Sequence, residues 1–204
     1  MQDRQAHWQG VYSSKSEQQV SWFQERPEPS VALMELVGAR PTDAIIDIGG
    51  GASRLVDFLV AAGHTDLSVL DLSPEALNVA KARLGQHSEH VKWIVADAVD
   101  WSPPQNYDIW HDRAAFHFLT EPRQQQAYIE RMSSALAPGG RVIFGTFAPD
   151  GPEKCSGLPI VRHDAASLIA LLGDNFKLVD TRRHDHVTPW DSVQKFQFST
   201  FRRL

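Results

Sequence analysis

A short strand followed by three glycines constrains the fold of this chain more than any other stretch. Residues 44–46 are apolar, two of them β-branched, and Asp47 closes the run without a helical period, which predicts a buried strand of a parallel sheet. Gly49, Gly50 and Gly51 follow, and residues 55–60 continue with a helical pattern of apolar side chains. Because glycine lets the backbone turn sharply and approach a ligand closely, this order predicts an α/β fold with a nucleoside-bearing ligand beyond the strand. A tight connection without a ligand is the alternative.

The second predicted strand ends in an acid at the sequence spacing from the glycines that is typical of a ribose-binding carboxylate. Residues 67–71 are apolar and end in Asp71, and Leu72 follows. An acid about 20 residues after such a turn is expected to accept hydrogen bonds from a ribose hydroxyl pair. The alternative is that Asp71, or Ser73, caps the helix that Pro74 begins, and the two roles are compatible.

Length and composition exclude several classes of protein. With 204 residues, the chain predicts a single domain with a sizeable core. A net charge of -5 argues against nucleic acid as the main partner, because phosphate binding needs a basic face. The single Cys155 excludes an intrachain disulfide and favours a reducing compartment. Without a membrane-length apolar run or a signal peptide, we expect a cytoplasmic protein with no membrane partner.

The details of the glycine turn resemble one family. Asp47-x-Gly49-x-Gly51-x-Ser53 departs from the G-x-G-x-x-G of dinucleotide folds, because an acid precedes the first glycine. This pattern resembles motif I of the class I S-adenosylmethionine-dependent methyltransferases, with Ser53 in place of a third glycine. The resemblance implies S-adenosyl-L-methionine as cofactor, with Asp47, Gly49 and Gly51 around its methionine end. It also implies a Rossmann-like, mostly parallel sheet of seven strands in the order 3-2-1-4-5-7-6, with the last strand antiparallel and helices on both faces.

A second match extends over nearly the whole chain. Residues 110–118, WHDRAAFHF, resemble the W-H-D-R-A-x-F-H-F stretch of a largely bacterial group of small class I methyltransferases. The same group carries H-W-x-x-x-Y-x-x-K and S-W-x-Q segments, which residues 7–15 and 21–24 match. The resemblance implies one methyltransferase domain over residues 1–204, in which residues 1–38 form a cap over the cofactor pocket.

The N-terminal residues 1–30 are rich in aromatic residues and poor in aliphatic ones, which predicts an extended cap with short helical pieces. Packing against the sheet edge is the alternative. The side chains predicted to touch cofactor or substrate are Trp8, Tyr12, Lys15, Trp22 and Gln24.

Asp97 and Ala98 follow the third predicted strand, at residues 91–95. The family resemblance implies that Asp97 accepts a hydrogen bond from the adenine amino group, for which a carboxylate is suited. The alternative is that Asp97 only stabilises a turn.

A dense polar cluster, His111, Asp112, Arg113 and His117, follows the fourth predicted strand, and the resemblance implies that it faces the methyl group. Histidine exchanges protons near neutral pH, Asp112 could orient a nucleophile, and Arg113 could pair with an acidic substrate. These four residues are the predicted catalytic set, and His111 is also assigned to the cofactor site. An internal Asp112–Arg113 ion pair is the alternative. No metal site is predicted, because its ligands would come from distant parts of the chain.

The remaining segments complete the predicted sheet. We expect a helix over residues 30–37 capped by Ser30, a fifth strand over residues 141–147, and two final strands over residues 176–183 and 194–203. Residues 184–186 and 188–189 are predicted to form the hairpin loop.

The predicted function is S-adenosylmethionine-dependent methyl transfer to a small-molecule acceptor such as a thiol, an amine or a carboxylate. Cys155 and His163, in a long loop after the fifth strand, are candidates for the acceptor pocket, although Cys155 also fits a buried apolar position. A protein-lysine methyltransferase is the first alternative, because residues 112–114 faintly resemble an Asp-Lys-Gly sequence of such enzymes. A non-catalytic cofactor-binding module is the second. A nicotinamide-dependent oxidoreductase is disfavoured by the glycine motif and by the lack of a separate substrate domain.

Overall fold

The computed structural model describes residues 2–204. Parallel strands alternate with helices through the first two thirds of the chain, and a long antiparallel hairpin ends it. The helices are α1 Gln2–Ser14, α2 Glu28–Leu36, α3 Leu55–Ala61, α4 Pro74–Leu84, α5 Pro122–Ala135 and α6 Ala165–Leu172. The strands are β1 Ala44–Ile48, β2 Asp66–Asp71, β3 Val91–Val95, β4 Tyr107–Arg113, β5 Leu136–Phe147, β6 Lys154–Cys155, β7 Leu158–Pro159, β8 Phe176–Val187 and β9 Val193–Arg203.

Seven strands form one sheet in the order β3-β2-β1-β4-β5-β9-β8. Strands β1 to β5 are parallel, whereas β9 runs antiparallel to both β5 and β8. Strands β6 and β7 pair only with each other, in a small hairpin after β5. Once that hairpin is left out of the numbering, the sheet has the predicted order, and the predicted fold class is confirmed.

Alternation along the central strands distributes the core over both faces of the sheet. Ile45 packs in a cluster with Leu33 of α2 and Leu55 of α3, whereas Ile46, the next residue, packs with Met132 of α5 and Leu168 of α6. Successive side chains of a strand point to opposite faces, so a strand that is apolar throughout needs helices on each side. The predicted two-sided helical layers are therefore present.

The N-terminal region is more helical than expected. Residues 2–14 form one α-helix, not short pieces in an extended segment. Helix α2 begins at Glu28 after Pro27, and Ser30 lies buried inside its first turn instead of capping it. Pro29 stands at a position near the helix start where a missing N–H costs nothing, which explains the earlier start.

The final hairpin is longer than expected, and the prediction of a loop at residues 184–186 is wrong. His184 and Asp185 continue β8 and lie opposite Phe196 and Lys195 of β9. The turn lies further along the chain, where the backbone N–H of Ser192 donates to the Thr188 hydroxyl oxygen. Strand β5 also begins earlier than expected, at Leu136.

Within residues 2–204, no helix combines the length and the apolar content that a membrane crossing requires.

Candidate functional site

A cavity opens at the carboxyl ends of β1, β2, β3 and β4. The space between its walls is about 790 Å³ when the part open to solvent is counted. The chain passes from β1 to β2 on one side and later returns to β4 on the other, and ligands of α/β sheets bind at such a switch point. The wall consists of Arg4, Trp8, Tyr12, Trp22, Ile48, Gly49, Leu70, Asp71, Leu72, Ala96, Asp97, Ala98, Arg113, Ala114, Ala115, Phe118, Leu119, Tyr128 and Cys155.

The glycine turn after β1 fits tightly between its neighbours. Gly49 has a φ of +66°, and a Cβ built on it would lie 2.6 Å from Cβ of Ala115. A Cβ on Gly51, whose φ is +43°, would lie 2.8 Å from Oδ2 of Asp71. Both the backbone conformation and the space therefore require glycine, and the turn brings the ends of β1, β2 and β4 together.

Asp71 forms part of one end of the cavity. Its Oδ1 accepts a hydrogen bond of 2.8 Å from the backbone N–H of Ser73, and burial raises the pKa of this carboxyl to about 7. Ser73 caps α4 by accepting from the backbone N–H of Ala76. Ser73, and not Asp71, is therefore the cap of this helix. Asp71 lies on the cavity wall, where a ligand-binding carboxyl is expected.

Asp97 is the second acid at this end, which we call the acidic end. Its Oδ2 accepts a 2.6 Å hydrogen bond from Arg4 of α1, and its Oδ1 accepts from the backbone N–H of Val99. Arg4 was not predicted as a site residue. Because the two partners lie 93 residues apart, no local pattern signals their contact.

Aromatic side chains form the opposite end, which we call the aromatic end. The Trp8 ring lies 5.6 Å from the Trp22 ring and 5.0 Å from the Phe118 ring, centroid to centroid. The indole N–H of Trp22 donates to the Tyr12 hydroxyl oxygen at 3.1 Å. The N-terminal segment is thereby tied to the turn that follows β4.

Arg113 lies at the aromatic end, at the last position of β4. Its Nη2 donates to the backbone carbonyl of Trp22 at 2.9 Å, and its guanidinium carbon lies 5.4 Å from the Phe196 ring centroid. Burial lowers the pKa of this side chain to about 10, which leaves it cationic at neutral pH. Among the described side chains, no carboxylate pairs with it.

Asp112 points away from the cavity and does not pair with Arg113. It accepts hydrogen bonds from the backbone N–H groups of Ala115 and Phe116, both at 3.0 Å, and from the Tyr128 hydroxyl at 2.6 Å. Burial raises the pKa of its carboxyl to about 6. These bonds hold the turn that contains Ala114, a non-glycine residue at a φ of +66°.

His111 joins two strands to a helix. Its Nδ1 lies 2.7 Å from Oδ1 of Asp47, and its Nε2 lies 2.8 Å from the Ser30 hydroxyl oxygen. All three side chains are buried. With both ring nitrogens occupied, His111 links β4 to β1 and α2 behind the cavity wall.

His117 is fully buried beside two aromatic rings. Its ring centroid lies 4.5 Å from that of Phe118 and 5.0 Å from that of Phe147. Neither ring nitrogen has a hydrogen-bond partner in the described part of the chain, and Nε2 of the buried His163 also lacks one. Burial lowers the pKa of His117 to about 3 and that of His163 to about 4. Neither histidine lies on the cavity wall.

Cys155 reaches the wall from the loop after β5, as the sequence suggested. Burial raises the pKa of its thiol to about 12, so the thiolate needed for nucleophilic chemistry does not form near neutral pH. Among the side chains of residues 4–204, no group of three or more His, Cys, Asp or Glu residues is arranged to hold a metal ion.

The predicted residues thus divide into those on the wall and those behind it. Of the predicted catalytic set, only Arg113 is on the wall, and His111, Asp112 and His117 are buried in contacts of their own. Lys15 and Gln24 are not on the wall either. The predicted cofactor residues on the wall are Trp8, Tyr12, Trp22, Gly49, Asp71, Leu72, Asp97 and Ala98. Those behind it are Asp47, Gly51 and His111.

Known proteins share this architecture. Residues 45–140 match the model of a methyltransferase domain family. A malonyl-[acyl-carrier protein] O-methyltransferase of Paenibacillus sp. strain JDR-2 is 29% identical over 111 residues, covering 52% of this chain and 39% of the relative. A protein solved in a study of the conversion of a disulfide bond into a thioacetal group during echinomycin biosynthesis has a TM-score of 0.77 at 21% identity, covering 98% of this chain and 92% of the other.

A third comparison includes bound ligands. The 1,6-didemethyltoxoflavin-N1-methyltransferase of Burkholderia thailandensis, solved with 1,6-didemethyltoxoflavin and S-adenosylhomocysteine, has a TM-score of 0.69 at 20% identity. The match covers 98% of this chain and 84% of that enzyme.

Residues 45–140 therefore match a methyltransferase domain, and the seven-stranded sheet has the architecture of the class I, S-adenosylmethionine-dependent type. The resemblance inferred from the glycine turn is confirmed at the level of this class. The narrower resemblance of residues 110–118 to one bacterial group stays a prediction. The chain spans about two fifths to a half of the length of the curated relatives it matches.

Replacing Asp112 tests its structural role. Asp112→Ala leaves two backbone N–H groups and the Tyr128 hydroxyl without their acceptor, so we expect the free energy of unfolding to fall by about 3 kcal/mol. Tyr128→Phe removes one of these bonds and leaves the Trp110 indole N–H unpaired, for which we expect a loss of about 1–2 kcal/mol. Urea unfolding measures both. Losses below about 1 kcal/mol for Asp112→Ala would contradict the role assigned here.

The buried imidazole of His117 gives a pH prediction. In the unfolded chain His117 takes up a proton below its ordinary pKa of 6.5, whereas in the folded chain it stays neutral down to about pH 3. Acidification between these values therefore destabilises the fold. The His117→Leu variant lacks this proton site. Between pH 6.5 and pH 5, its free energy of unfolding should therefore fall by about 2 kcal/mol less than that of the parent. Asp71 and Asp112, whose raised pKa values act in the opposite direction, are common to both proteins and cancel in the comparison. Parallel stability curves for the two proteins would contradict the assignment.

Proposed function

We propose that this chain binds S-adenosyl-L-methionine in the cavity and catalyses methyl transfer to a small-molecule acceptor. The observation that carries the proposal is the arrangement of the cavity. A glycine turn lies between an end with two carboxyl groups and an aromatic end with one cation. Two proteins similar to this chain support it, one named malonyl-[acyl-carrier protein] O-methyltransferase and one named 1,6-didemethyltoxoflavin-N1-methyltransferase, the latter with bound S-adenosylhomocysteine.

The residues present suit this cofactor. Asp71 offers an acceptor for a ribose hydroxyl pair. Asp97 has acceptor sites beyond those used by Arg4 and Val99, so it can accept from the adenine amino group while it stays paired with Arg4. Leu72 and Ala98 supply apolar surface for a flat base beside these acids. The tight glycine turn leaves room for the amino-acid end. When bound, the cofactor supplies an electrophilic methyl group on a sulfonium.

The chain itself contributes orientation and exclusion of water, which are the main requirements of an in-line displacement. Trp8 and Trp22 cover the aromatic end, and Arg113 gives it a positive charge. The wall groups Tyr12, Tyr128 and Cys155 all have pKa values raised by burial. Among the described residues, no imidazole or carboxyl group lies at the aromatic end of the wall, so proton removal is not assigned to a side chain, which favours acceptors that arrive already ionised.

The domain organisation follows the same proposal. Residues 1–204 form one methyltransferase domain, and residues 1–38 act as its cap. Within that segment, Arg4, Trp8, Tyr12 and Trp22 reach the cavity, whereas helix α2 packs in the core through Leu33. The cytoplasmic location and the absence of nucleic-acid and membrane partners stay predictions from the sequence.

Asp71→Asn tests the cofactor assignment. Because hydrogen bonds to a charged acceptor are the stronger ones, we expect at least a tenfold, or about 1.4 kcal/mol, weaker affinity for S-adenosylhomocysteine. The affinity is measured by calorimetry at about pH 8, where Asp71, with its raised pKa of about 7, is ionised. Asp66→Asn is the matched control, because Asp66 begins the same strand at its opposite end and pairs with Lys92. The Asp66→Asn variant should bind S-adenosylhomocysteine as tightly as the parent does. The parent should not bind NAD. Equal affinities for Asp71→Asn and the parent would refute the ribose assignment.

A transfer assay tests the activity. The protein is incubated with methyl-labelled S-adenosylmethionine and cell extract from the source organism, then separated by a size-cutoff filter with the headspace gas collected. We expect label in the filtrate or the gas. Label retained with protein would favour the protein-lysine alternative. Absence of transfer despite cofactor binding would favour the non-catalytic one.

A further inference from the structure

We infer that the acceptor carries a carboxylate and that Arg113 binds this group at the aromatic end of the cavity. The inference rests on the proposed function, since it names the acceptor class of the same site. It starts from a half-buried cation at the cavity wall that forms no ion pair with a described carboxylate.

The guanidinium of Arg113 has more hydrogen-bond donors than its described contacts use. It offers five N–H groups, and its described side-chain hydrogen bond goes to the Trp22 carbonyl. A buried charge without a partner is costly, so proteins normally pair it. A ligand carboxylate, held by two parallel N–H···O bonds, would supply the missing charge and use the planar fork of the side chain.

The acids near Arg113 are occupied elsewhere. Asp112, its neighbour in sequence, accepts from Tyr128 and from two backbone N–H groups on the other face of the sheet. Asp47 is bound to His111. Asp47 lies close enough for its charge to favour the cationic form of Arg113, but no described carboxylate forms a direct ion pair with Arg113.

The wall around Arg113 sets the rest of the acceptor. Trp8, Trp22 and Phe118 present ring surfaces there, and Ala114 adds a small apolar one. These surfaces suit an aryl or alkyl group attached to the carboxylate.

Charge separates a carboxylate from a phosphate. The only other cation among the wall residues, Arg4, is already paired with Asp97. Arg54, in the neighbouring pocket, is paired with Glu17 and Glu25. A single available cation matches a monoanion, whereas a phosphate dianion would keep an uncompensated charge in a largely apolar site.

The experiment measures binding to the protein saturated with S-adenosylhomocysteine. Phenylacetate and indole-3-acetate are the probes, and their amides, of nearly the same shape, are the neutral controls. By calorimetry we expect each acid to bind at least tenfold more tightly than its amide. Inorganic phosphate should not compete with the acids.

Variants assign the effect to Arg113. Arg113→Gln should reduce the affinity for each acid to that of its amide, while the affinity for S-adenosylhomocysteine stays within about threefold of the parent. Arg113→Lys, which keeps the charge without the fork, should give an intermediate affinity. Arg182→Gln on exposed β8, where Arg182 pairs with Asp180, is the matched control and should leave all affinities unchanged. Circular dichroism confirms that each variant is folded.

Several outcomes would overturn the inference. Equal binding of acids and amides, no binding of either acid, or competition by phosphate would exclude an aryl or alkyl carboxylate site. A tenfold or greater loss of S-adenosylhomocysteine affinity in Arg113→Gln would show that Arg113 pairs with the cofactor's own carboxylate. If the parent did not bind S-adenosylhomocysteine, the proposed function would fail first, and this inference with it.

Discussion

The close packing of the glycine turn after β1 is the constraint on which the site depends. A side chain at Gly49 would collide with Ala115 after β4, and one at Gly51 would collide with the Asp71 carboxyl after β2. The turn therefore holds the ends of three neighbouring strands at contact distance. Any residue larger than glycine would push those ends apart and separate the two ends of the cavity.

The sequence predicts the residues that lie at strand ends better than it predicts where their side chains point. Asp71 and Asp97 each follow a short apolar run, so a local pattern finds them, and both lie on the wall. The cluster after β4 has equally local signals, but its geometry depends on distant partners. His111 faces Ser30 of α2, and Asp112 faces Tyr128 of α5.

Strand pleating explains this division. Successive residues of β4 point to opposite faces, so Trp110 and Asp112 face α5, whereas Ile109 and His111 face α2. Each polar side chain then needs a buried partner on its own face, and the helix packed there provides it. Polar residues that are close together in the sequence therefore need not form one polar site in the structure. Arg113, at the last position of the strand, is the first of them to reach the cavity.

Strand order then fixes the order of charges along the cavity. Strands β2 and β3 lie on one side of β1 and carry the acids, and β4 lies on the other side and carries the cation. Neighbouring strands are about 4.8 Å apart, so the ends of β2 and β4 are separated by about 10 Å. A ligand can place hydrogen-bond donors at the negatively charged acidic end. Beyond the glycine turn, the same cavity continues into the aromatic end, which carries a positive charge. Because both compartments are built from the same sheet edge, the sheet itself aligns a group bound at Arg113 with one bound at Asp71.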